Sequence, residues 1–172
     1  MSGLLVAGLG NIFQGDDAFG VEVIARLTRK PPPAGVKIVD FGIRGLDLTY
    51  ALTGGYRAAI LIDAAQRGLE PGTVSIVEPN AAQSGDADGL APEDLMISGH
   101  DLDPAKVLKV VAMLGGGCER IVLVACEPLD LGGQDGRMGL SAPVAAAVEP
   151  AVKAVEDLIA AYVLDQKAAK AA

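Results

Sequence analysis

The chain opens on an apolar run, Leu4-Leu5-Val6-Ala7. It breaks into a glycine-studded stretch, Gly8-Leu9-Gly10-Asn11-Ile12-Phe13-Gln14-Gly15-Asp16-Asp17-Ala18-Phe19-Gly20, and then takes up a helical pattern at Val21, Val23, Ile24 and Leu27. This reads as a buried strand that passes through a tight loop into a helix. Glycine-rich turns in that position usually cradle phosphate, because backbone amides and the positive helix end attract anions. Here the turn carries two adjacent carboxylates, Asp16 and Asp17. A loop that brings its own negative charge suits a cation better than a pyrophosphate.

The rest of the chain repeats the alternation. The first strand, Leu4–Leu9, precedes a helix from Asp17 to Arg29, which Pro31-Pro32-Pro33 stops. A second strand is expected at Val36–Asp40 and a short helix at Asp47–Leu52, ended by Gly54-Gly55. The third strand, Ala58–Ile62, is continuously apolar, as strands buried on both faces of a parallel sheet are, and it ends on Asp63. Thr73–Val77 follows without a crossover helix, so it is predicted to pair antiparallel at an edge. Residues Pro79–Asp101 read as a long loop, and Asp103-Pro104 as a cap and first position opening a helix to Leu114. Ile121–Cys126 is the fifth strand. After the Gly132–Gly139 loop, Ser141 or Ala142 opens a long helix that Pro150 should kink. The pattern predicts one α/β domain over residues 1–164: a three-layer, twisted, five-stranded, mostly parallel sheet with one antiparallel edge strand and helices on both faces. The Ala/Lys-rich residues 165–172 read as a frayed tail.

Composition narrows the function classes. A length of 172 residues with 51% apolar content can bury a full core, and the formal net charge of −8 argues against a nucleic-acid partner. No apolar run reaches the roughly 18–20 residues that span a bilayer, and no basic segment precedes Leu4 as a secretory signal requires. Cys118 and Cys126 match neither a disulfide scaffold nor a CxxC metal pattern, so they read as reduced core residues. A cytoplasmic monomer without a membrane partner is expected.

Ligands of doubly wound sheets bind outside the carboxyl ends of the strands, where strand order reverses. Asp17, Asp63 and His100, the single histidine, fall at such ends or in nearby loops. Two carboxylates and an imidazole suit a divalent transition metal, and a cation would remove the repulsion between paired acids. Each residue also has an ordinary reading: Asp17 as a helix cap, Asp63 as a cap after its strand, His100 as a surface or capping residue. Gly8-Leu9-Gly10 with Asp40 imitates a dinucleotide fingerprint, but the third glycine is displaced to Gly15. The chain contains no GxxxxGK[ST], HExxH or GxSxG motif. Arg44 and Arg57 read as solvated rather than as anion anchors.

Taken together, Gly8-Leu9-Gly10-Asn11, Gly15-Asp16-Asp17-Ala18-Phe19-Gly20, Asp40–Gly45, Leu61-Ile62-Asp63-Ala64, Ser98-Gly99-His100-Asp101-Leu102 and Gly139-Leu140-Ser141 with Val148-Glu149-Pro150-Ala151 resemble the nickel–iron hydrogenase maturation endopeptidases over nearly the whole chain. The resemblance implies removal of a C-terminal extension from a hydrogenase large-subunit precursor after nickel insertion. It implies that Asp17, Asp63 and His100 contact the metal and serve catalysis. The nickel would be that of the substrate's unfinished active site, not a permanently bound cofactor. Where many members carry Asp-Gly-Gly-Thr or a close relative, this chain has Asp40-Phe41-Gly42-Ile43-Arg44-Gly45. The resemblance assigns that loop to substrate recognition, with Asp40, Gly42, Arg44 and Gly45 as candidates. A non-catalytic nickel-site binding module or chaperone on the same fold is the alternative.

Overall fold

Uninterrupted apolar runs become the middle of the sheet, because only there are both faces of a strand covered. The structure is a computed structural model and describes residues 3–78, 104–116 and 118–171. Its strands are β1 (Leu4–Leu9), β2 (Val36–Gly42), β3 (Ala58–Ala64), β4 (Val74–Val77) and β5 (Arg120–Cys126), in the order β2-β1-β3-β5-β4. All neighbours run parallel except β4, which pairs antiparallel with β5, Val74 opposite Cys126. Every residue of β1 and β3 is buried, whereas the edge strand β2 buries only Val36 and Phe41 and leaves its other positions partly or fully exposed.

Alternation along the strands divides the core in two. Leu4 and Val6 of β1 with Ile60 and Ile62 of β3 face α1 (Phe19–Leu27) and α4 (Ala142–Ala171). Leu5, Ala7 and Leu9 with Ala59 and Leu61 face α2 (Gly45–Thr53) and α3 (Pro104–Met113). The predicted three-layer α/β sheet with one antiparallel edge is therefore the observed architecture.

Several boundaries differ from the sequence reading, each for a local reason. Asp63 is not a residue beyond its strand: β3 continues to Ala64, because pairing with β5 persists through Asp63 opposite Ala125 and Ala64 opposite Cys126. The first helix does not start at Asp17, since Gly15–Ala18 form a tighter 3-10 turn before α1. Strand β2 runs two residues past Asp40, with a register shift where Gly8 faces Asp40 but Leu9 faces Gly42. The Ala/Lys-rich end is wound into α4 through Ala171, and Pro150 lies inside that helix. Alanine, lysine and glutamine are good helix formers, which favours this continuation. The expected loop Pro79–Asp101, with His100, lies outside the described residues.

Candidate functional site

With β2 on one side of β1 and β3 on the other, strand order reverses at β1. The loop after β1 and the end of β3 therefore lie side by side at the switch point, where α/β sheets bind ligands. Two glycines let the chain fold back there. Gly10 has φ +131, and a Cβ on it would lie 1.7 Å from the Asp17 carbonyl oxygen. Gly20, in the first turn of α1, crosses the sheet so closely that a Cβ would meet the Ile62 and Leu9 carbonyl oxygens at 2.2 and 2.3 Å. Any larger residue at either position would displace the turn that carries the acids.

The two adjacent carboxylates of this turn have different surroundings. Asp16 is fully buried and saturated with donors. Its Oδ2 accepts from the backbone amides of Leu129 and Asp130 and from Ser141 Oγ, each at 2.8 Å, and its Oδ1 accepts from the Ser141 amide at 2.6 Å. Ser141 immediately precedes α4, so the anion also sits at that helix's positive end. Hydrogen bonds to a charged group contribute about 1.5–3 kcal/mol each, so this set ties the turn firmly to the segment before α4. Asp17, 2% exposed, accepts the Asn11 amide on Oδ2 at 2.8 Å.

Asp63 is the opposite of Asp16. It continues the inward row of Ala59 and Leu61, and it has no exposed surface. Neither of its carboxyl oxygens has a hydrogen-bond partner among the described residues. Burial, and then the charge of Asp17, push its pKa well above the ordinary carboxylate range. The Ala64 amide, near it but outside hydrogen-bond geometry, works in the other direction. A buried acid without donors, beside a second acid, is costly unless a proton or a cation joins them.

The structure thus brings together Asp17 and Asp63 from the expected set, while His100 lies outside the described residues. Among the described residues no group of three His, Cys, Asp or Glu is close enough to hold a metal. What the sequence reading missed is that Asp16, although next to Asp17, has its charge taken up by the protein itself. The available signal was Ser141, a residue that caps well, just ahead of the long helix.

The loop assigned to recognition adjoins the acid-bearing turn, because the Gly10 amide donates to the Gly42 carbonyl at 3.0 Å. Asp40 Oδ1 accepts the Gly42 amide at 2.8 Å, and Gly42 takes φ +53. Arg44 braces this loop from within, donating to the carbonyls of Asp40 at 2.6 Å and Phe41 at 3.1 Å and pairing with Asp47 at 3.5 Å. Gly45 is buried as the first residue of α2. A separate cavity of about 440 Å³, lined by apolar residues including Leu27, Ile38, Ile159 and Val163, shares no residue with these loops. Lys30 and Glu156 are the charged residues of its lining, and none of Asp16, Asp17 and Asp63 is part of it.

Comparison with known proteins points the same way. Residues 21–158 match the family HycI, hydrogenase maturation protease. The hydrogenase expression/formation protein HupD of Rhizobium leguminosarum bv. viciae is 34% identical over 155 residues, spanning 87% of this chain and 72% of HupD. HoxM of Cupriavidus necator, of the same description, is 31% identical over 157 residues, spanning 91% and 73%. Among solved structures, the hydrogenase maturating endopeptidase HybD from E. coli superposes with a TM-score of 0.68 at 28% identity over 89% of each chain. The hydrogenase 2 maturation peptidase of a Thaumarchaeota archaeon gives 0.67 at 26% identity, over 92% of this chain and 98% of its own.

Proposed function

Because the chain belongs to the hydrogenase maturation protease family, we propose that it is the endopeptidase that trims the C-terminal extension from a nickel–iron hydrogenase large-subunit precursor once nickel is in place. In this reading Asp17, Asp63 and His100 grip the precursor's own nickel, which is cargo of the substrate. The observation that carries it is the buried Asp63 carboxylate, without a hydrogen-bond partner among the described residues and beside Asp17 at the strand switch point. Such a pair gains most from a divalent cation, which neutralises both charges at once.

Docking through the metal would select the substrate as well as bind it. A precursor without nickel leaves the two acids to repel each other, whereas a loaded one completes the site and brings the scissile peptide beside it, a positioning effect. The chain's own residues then hold the geometry: the Asn11 amide orients Asp17, and β3 fixes Asp63. The loop from Asp40 to Gly45, joined to the same turn through Gly10 and Gly42, is placed to touch the precursor next to the metal.

The test is incubation of the purified protein with nickel-loaded and nickel-free precursor, followed by mass spectrometry of the large subunit. Loss of the extension from the loaded form alone is expected. Asp17→Asn, Asp63→Asn and His100→Ala should each abolish it. A stable complex whose large subunit keeps its full mass would instead favour the binding-module reading. Equal trimming of both forms would refute selection by nickel.

A further inference from the structure

Single apolar side chains in solvent are ordinary, but their grouping on one face of a molecule is not. Of the twelve large apolar side chains exposed among the described residues, eight lie in segments that follow the carboxyl ends of β1, β2, β3 and β5. The links that enter β2 and β3 at the opposite end, residues 28–35 and 54–57, carry none of them. Backbone hydrogen bonds join several of the eight into one rim. The Gly10 amide donates to the Gly42 carbonyl, next to Ile43, at 3.0 Å, and the Gly15 amide to the Arg137 carbonyl, next to Met138, at 2.7 Å. Between Gly10 and Gly15 lies the exposed Phe13, whose carbonyl accepts the Arg137 amide at 2.8 Å. The rim continues along α2. That helix turns Leu48 and Leu52 into the core, yet its outer side, where polar residues are the rule, carries Leu46 and Tyr50 one turn apart.

Phe13 is 58% exposed, Tyr50 67% and Met138 71%. Aromatic and methionine side chains are enriched at the buried centres of protein interfaces, and a chain with only three Phe and three Tyr places one of each here. Asp17 follows Phe13 by four positions in the loop after β1 and is 2% exposed, so a substrate whose metal reaches Asp17 lies against this rim. The exposed groups are side chains on three separate segments, not a row of free strand amides, so they fit a broad apolar surface and not an extended tail. We propose that the rim of Phe13, Ile43, Leu46, Tyr50 and Met138 is the docking face for the folded body of the precursor, which presents an apolar collar around its nickel. Apolar burial then supplies the affinity, and the metal supplies the selection. This rests on the reading that the precursor is the substrate, and the experiment separates the two ideas.

The full chain is compared with two double variants, Phe13→Gln/Met138→Gln and Leu46→Gln/Tyr50→Gln, and with a control, Leu114→Gln, an exposed apolar residue just past α3. Because all these side chains lie in solvent, each variant should keep its Tm within ~3 °C of wild type. For the nickel-loaded precursor, kcat/KM should fall at least ~10-fold in each double variant, as for interface anchors, and stay within ~2-fold in the control. A smaller fall in either double variant, or an equal fall in the control, would overturn the proposal. A double variant that does not fold is replaced by Met138→Gln or Tyr50→Gln alone, with a ~3-fold fall as the dividing line. The mature large subunit, which lacks the extension, should inhibit trimming at least ~10-fold more strongly than the extension added as a free peptide, and any weaker preference would overturn docking by the body. A wild-type dimer in light scattering that both double variants dissociate would give the face to a second copy of this chain and refute the assignment. If the wild-type protein trims nothing, the endopeptidase reading fails, and precursor binding followed by biolayer interferometry decides on the face. Loss of that binding in the double variants upholds it; equal binding, or none by wild type, overturns it.

Discussion

Replacing Asp63 with asparagine should make the protein more stable while removing its activity. The carboxyl group is fully buried, neither oxygen has a hydrogen-bond partner among the described residues, and Asp17 adds a like charge. Leaving a buried polar group unsatisfied costs about 1–3 kcal/mol, and more when it is charged. An amide of the same shape carries no charge, and its NH2 can donate to the Asp17 carboxylate. A net gain of about 2 kcal/mol follows at pH 8, which for a chain of this size corresponds to a rise of ~4–8 °C in Tm. The pH dependence gives a second check. Asp63 has a higher pKa folded than unfolded, so above the unfolded value of 3.8 the native state holds the extra proton. Its contribution to stability therefore falls as pH rises through the window between the two values. The advantage of Asp63→Asn should be small near pH 3, where aspartate is largely protonated in both states, and should grow toward pH 8. Circular dichroism melts with chelator at the two pH values measure it. A variant less stable than wild type at pH 8, or a difference that ignores pH, would refute the account of Asp63 as an uncompensated buried acid.

Gly20→Ala should cost about 2–3 kcal/mol through overpacking, seen as a Tm loss of ~4–12 °C, because its Cβ would lie 2.2 Å from the Ile62 carbonyl oxygen. Gly54→Ala, whose nearest contact is 3.3 Å away, should move Tm by less than ~2 °C. Burial pushes the Cys118 thiol up to about 11 and the Cys126 thiol up to about 12, so neither should react with a thiol-specific reagent at pH 8 until the protein is unfolded in denaturant. Arg44→Ala removes the brace across Asp40 and Phe41, whose hydrogen bonds are exposed or only partly buried, and the guanidinium's cover over the Phe41 ring. It should leave Tm nearly unchanged and raise KM for the precursor, as read from trimming kinetics.

The middle of the sheet was legible because Leu4–Leu9, Ala58–Ile62 and Ile121–Cys126 leave no polar face, a pattern that fits burial between two helical layers. The antiparallel edge at β4 followed from the lack of room for a crossover after β3. Ends were harder to read, since they depend on partners remote in sequence. β3 runs past Ile62 because β5 continues beside it, and β2 reaches Gly42 through a shift in pairing with β1. The candidate site was legible as types and order of residues. Its electrostatics were not, because nothing in the dipeptide Asp16-Asp17 tells which acid the protein itself neutralises. That depends on Leu129, Asp130 and Ser141, which lie more than a hundred positions away.

The offset between β1 and β2, where one residue slips out of step at Gly8 and Leu9, works as an expansion joint. Strands beyond it are free to end in loops of different length or wording, while the acids on the other side keep their spacing. If the tip after β2 reads the precursor, as proposed, a lineage could retune its client by rewriting that tip while Asp17 and Asp63 keep their places.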